Sequence, residues 1–143
     1  MSGFHAALGI AVLAANALAG AWGAVAWLRK DPSLLFWPLL RVAQAAVAVQ
    51  VLVGLLLLAR GDSAPDGLHV AYGLAPLVIS LVSEGMRIAA AQRELEGVAD
   101  VEALPRREQV ALARRIALGE MGVMTVGVLL ILTLSLRAFQ TGG

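Results

Sequence analysis

Four apolar runs, each long enough to cross a hydrocarbon layer about 30 Å thick, constrain this chain more than any other feature. They extend from Phe4 to Leu28, Leu34 to Ala59, Leu68 to Ala91 and Ile116 to Leu136. Lipid offers the backbone no hydrogen-bond partners, so each run must satisfy itself as a helix. The period-two alternation of a barrel strand is absent. The sequence therefore predicts an all-α integral membrane protein, a single four-transmembrane-helix bundle over residues 1–143. With 59% hydrophobic residues and about two thirds of the chain in the spans, little remains for a separate soluble domain. The first run is expected to be a retained helix and not a signal peptide, because Met1 to Phe4 carries no basic residue.

Orientation follows from the basic residues. Arg29 and Lys30 lie between the first and second spans, and Arg93, Arg106, Arg107, Arg114 and Arg115 between the third and fourth. The opposite side has only Arg60 and Arg137. Both termini are thus expected outside, with the basic connections in the cytoplasm of a bacterial-type plasma membrane. Trp27, Phe36 and Trp37 fall at the inferred inner boundary, where amphipathic rings settle. The connection over about 92–115 is polar and acidic until Pro105, which opens a basic helix that can merge with the last span. That helix reads either as a docking surface for a partner or anionic lipid, or as the solvated start of a positive-inside span. The net charge of +1 is a poor guide, because the distribution of charge across the membrane carries the information and its sum does not, and nucleic-acid binding is not expected.

The polar residues inside the spans are few and patterned. In the third span His69, Tyr72, Gly73, Pro76, Ser80, Ser83, Glu84 and Arg87 recur at spacings of three and four, which puts them on one helix face. Pro76 predicts a kink there, either shaping a pocket or simply tolerated. The first span carries a matching stripe of His5, Gly9, Val12, Asn16, Gly20 and Gly23, whose small residues permit close helix approach. Arg41, Glu84, Arg87 and Glu120 cluster toward the inferred cytoplasmic side with cancelling charges. Unpaired, each would cost roughly 3 kcal/mol on insertion scales, so they are expected to pair as a buried charge network. That network reads as half of a proton or ion pathway, or as an inter-helix clamp.

His5 and His69 are the only histidines, and each opens a long apolar run from the same membrane edge. Imidazoles at one depth on two helices are the arrangement that holds a b-type heme, one on each face of the iron. Gly9 and Gly73 would leave room for the porphyrin, Tyr72 would line it, and Arg60 and Arg137 lie on the side suited to its propionates. The alternative is that each histidine is an interfacial polar residue. With no cysteine, disulfides, thiolate ligands and iron–sulfur clusters are excluded. No hydrolytic triad, phosphate loop or zinc motif is present.

The run from Val51 to Val78, VLVGLLLLARGDSAPDGLHVAYGLAPLV, resembles the second-to-third-helix region of one four-helix half of heme A synthase-type proteins and related membrane b-type cytochromes. The shared pattern is an apolar helix, a short Pro-containing loop and a Leu-His pair opening the next helix, over about a fifth of the chain. The resemblance implies that His69 is a heme ligand. Unlike the synthase, this chain has four spans and no histidine in the fourth, so the synthase activity does not carry over. Three functions stay open: a small b-type heme protein in electron transfer or heme handling, a non-catalytic accessory subunit of a larger membrane complex or homo-oligomer, and a proton-coupled channel or transporter component.

Overall fold

The computed structural model describes residues 2–64 and 66–141, apart from the side chain of Ser2. The loop proline read from the sequence, Pro65, lies outside the described residues. Four helices follow one another: α1 (Ser2–Leu28), α2 (Phe36–Ala59), α3 (Gly67–Leu95) and α4 (Arg106–Thr141). No strand occurs among the described residues. All four helices are long and apolar enough to cross a membrane.

Helix ends differ from apolar-run ends where polar residues keep hydrogen-bonding along the axis. α3 passes the expected limit at Ala91 and stops at Leu95, followed by Gly97 with φ +81°, a left-handed conformation that favours glycine. α4 already begins at Arg106, so the basic segment and the last span form one 36-residue helix. At 1.5 Å per residue α4 is about 54 Å long, well beyond a hydrocarbon core of about 30 Å. Its first turns and the end of α3 therefore form a charged hairpin outside the apolar zone. α3 runs as helix through Pro76, which is buried.

In lipid, helix association relies on close van der Waals packing more than on expulsion of water. The α1 stripe supplies that closeness. Val12, Asn16 and Ala19 are buried, a Cβ added to Gly20 would lie 2.8 Å from Leu129, and one added to Gly23 would strike Phe36 and Thr125. α1 thus packs between α2 and α4, and α4 packs between α1 and α3. One core cluster centres on Phe36, Leu40, Met121 and Met124, and a second on Val12, Val47, Val51 and Ile131. The seam between α2 and α3 is sparse.

Candidate functional site

At the end of the bundle where α1 and α3 begin, the walls separate around a cavity of about 820 Å³. This volume lies within the roughly 300–1,000 Å³ span of small-molecule and cofactor sites. His5 and Gly9 line it from α1, Gln50 and Gly54 from α2, His69, Tyr72 and Gly73 from α3, and Ala138 from α4. Asp62 and Ser63 of the α2–α3 loop stand at the same end. Leu55 and Leu74, on the two sides of the sparse seam, also line the cavity and remain substantially exposed.

The two imidazoles meet inside this cavity, their ring centroids 6.1 Å apart and their planes at 65°. Local sequence fixes His69 firmly. Asp66 is the N-cap of α3, and its carboxylate accepts the backbone N–H of His69 at 2.6 Å, satisfying a donor that the first turn otherwise leaves free. The ring Nδ1 of His69 is 3.0 Å from the carbonyl oxygen of Ala138. A carbonyl only accepts, so Nδ1 carries the proton and Nε2 keeps its lone pair, the tautomer usual for a metal-binding histidine. His5 is held differently. Its Nε2 lies 3.4 Å from the amide nitrogen of Gln50, while its Nδ1 is buried without a partner. Gly54 makes room for the ring, since a Cβ there would come within 3.2 Å of His5 Cε1.

The remaining expected site residues divide into two groups. Gly9, Tyr72 and Gly73 line the cavity. Arg60 and Arg137, expected near the propionates, are not among its lining residues. Arg60 is the C-cap of α2, and the exposed Arg137 donates to Gln140 at 3.3 Å. Sequence reading gave no site role to Gln50, Gly54 or the Ala138 carbonyl. The first two carry a faint signal, an amide and a glycine interrupting the run VAVQVLVGLLLL. The third is a backbone atom, which side-chain identity does not reveal.

Toward the opposite end, Arg41, Glu84, Arg87 and Glu120 join in one chain of ion pairs. The Glu84 carboxylate accepts from Arg41, from Gln44 at 2.9 Å and from Arg87 at 3.0 Å, and Arg87 also donates to Glu120 at 2.8 Å. The Arg87 guanidinium sits 5.5 Å from the centroid of the Trp37 ring, a cation–π distance. Glu84 is the hub, and through Arg41 and Gln44 it ties α3 to α2 across the seam that is open at the histidine end. Val12, Val47 and Val51 line the cavity and pack with Ile131 in one apolar cluster, and the buried Asn16, Ser80 and Ser83 follow between that cluster and the charges. Comparison of the chain with known protein families, with curated proteins and with solved structures finds no match.

Proposed function

We propose that this protein is a membrane-embedded b-type heme protein, with His5 and His69 as the two axial ligands, that acts in electron transfer or heme handling. The observation that carries this reading is the pair of imidazoles 6.1 Å apart across a large, glycine-lined cavity. Two imidazoles at this separation would hold an iron between them, each contributing one nitrogen. The donor count favours the same group. No cluster of three or more His, Asp or Glu that could hold a bare metal ion occurs among the described residues. A porphyrin brings four nitrogens of its own, so two histidines complete six-coordinate iron.

His69 offers Nε2 in the ligating tautomer, held by Ala138 and Asp66. His5 supplies the second imidazole, and Gly9, Gly54 and Gly73 provide clearance. A bound heme would contribute one-electron iron chemistry, and the apolar side chains of the cavity would pack against its ring. In this reading both termini and the cavity face the outside of a bacterial-type plasma membrane, as the excess of arginine in the first and third connections supports.

The charged α3–α4 hairpin supports a second reading, an accessory subunit whose protruding end meets a larger membrane complex. A proton-coupled pathway is the third reading, and it would use Gln44 and the buried Ser83, Ser80 and Asn16, which line a small pocket between Glu84 and the apolar cluster. Absorption spectroscopy tests the heme reading. Purified protein should show a Soret band with sharp low-spin bands on reduction, His69→Ala should abolish them, and His5→Ala should leave high-spin heme. Protein that stays colourless after growth with ample heme and after addition of hemin would refute the heme reading and leave the accessory subunit in front.

A further inference from the structure

The two histidines of the cavity are not equivalent in their second partners. His69 has a backbone carbonyl for its Nδ1–H, whereas the Nδ1 of His5 is buried with no partner. The side-chain oxygen of Gln50 is also buried with no partner. These two orphans are complementary, one able to donate and the other able only to accept, and they belong to residues already in contact through Gln50 Nε2 and His5 Nε2. An amide nitrogen only donates, so Gln50 holds His5 with Nε2 as acceptor, and the proton therefore resides on Nδ1. Gln50 thereby keeps a lone pair on the nitrogen that a metal would take.

We propose that Gln50 is the positioning residue for His5: it selects the ligating tautomer before a metal binds, and when Nε2 is given up to a metal its side-chain oxygen would be the acceptor for the Nδ1–H. The inference rests on the bis-histidine reading above. Its physical content is the role Ala138 fills for His69. A hydrogen bond from Nδ1–H raises the basicity of the coordinating nitrogen and fixes the ring's orientation, and losing such a bond typically weakens metal binding 10- to 100-fold. A more basic axial imidazole stabilises ferric over ferrous iron, so the bond also lowers the reduction potential.

The test compares purified wild type, Gln50→Leu and Gln50→Glu in the same detergent, each titrated with hemin and followed by redox titration and low-temperature electron paramagnetic resonance. Gln50→Leu removes the acceptor and should bind hemin at least tenfold more weakly, with a raised midpoint potential. Gln50→Glu offers a stronger acceptor and should lower the potential below wild type. Shifts in one common direction, or none, with both variants still six-coordinate, would overturn the role of Gln50 and leave the heme reading intact. Failure of wild type itself to take up hemin would remove both. Should a variant not fold, nitrogen-15 NMR of the histidines in heme-free wild type decides the tautomer. An unprotonated Nε2 on His5 supports the assignment, and a protonated one overturns it.

Discussion

Neutralising Glu84 should be the most damaging single change at the charged end, and the structure allows its size to be worked out. Glu84→Gln removes the acceptor shared by Arg41, Gln44 and Arg87, leaving a net positive charge where the four residues had cancelled. Removing one partner of a fully buried pair costs about 3–5 kcal/mol, because the other charge stays desolvated. Two features reduce that figure. Arg87 keeps Glu120 at 2.8 Å, and the side chain of Arg41 is 53% exposed and can turn away from the gap. Exposed pairs are worth at most about 1 kcal/mol, so the loss rests mainly on Arg87, and we expect roughly 2 kcal/mol. Equilibrium unfolding in mixed micelles with rising dodecyl sulfate should resolve this against Glu96→Gln. That control alters only the loop end of α3 and should stay within about 0.5 kcal/mol of wild type. Equal stability of the two variants would refute the clamp and show that Arg41 and Arg87 satisfy themselves at the membrane surface.

Glycine substitutions test the packing. Gly23→Ala drives a methyl group into the fully buried Phe36 ring and should cost about 1–3 kcal/mol in the same assay. Gly85→Ala meets open space inside a helix and should stabilise by about 0.5–1 kcal/mol. If the two behave alike, close approach of α1 does not hold the bundle. Because the chain lacks cysteine, single-cysteine labelling can test topology without background. Ser2→Cys in intact cells should react with an impermeant maleimide and Ala103→Cys should not, and the reverse pattern would invert the orientation.

Sequence reading reached the helices because a membrane demands long apolar runs, and it missed the end of α3 for the same reason. Apolar length measures the hydrocarbon zone, whereas Gln92 to Leu95 remain helical in a polar setting. The basic helix that merges with the last span was legible, because Pro105 suits the position just before its start at Arg106. The buried stripe of α1 was legible, since glycines and Asn16 at helical spacing leave little doubt about which face meets a neighbour. The common level of His5 and His69 follows from two helices that start at one edge. Less legible were the contacts that depend on side-chain reach and on the order of helices around the bundle. Nothing in the spacing of Glu84 makes it the hub between α2 and α3, and nothing in the residue type of Ala138 marks its carbonyl as the partner of His69. Arg60 and Arg137 share the histidine end, but a shared level does not set the direction of a long side chain.

The packed interior below the cavity also has an electrical consequence. Val12, Val47 and Val51 line a cavity connected to one end of the bundle, and close packing continues from them to the ionised groups near the other, so in a membrane a voltage would fall mainly across that packed stretch. A charge placed between the two histidines lies on one side of that drop and remains close to the potential of the phase its cavity adjoins. Carrying it across the full voltage would involve about 2.3 kcal/mol per 100 mV, whereas changing its oxidation state in place involves little of that work. An electron reaching this cavity from its own side of the membrane would therefore arrive at an energy nearly independent of how strongly the cell is polarised.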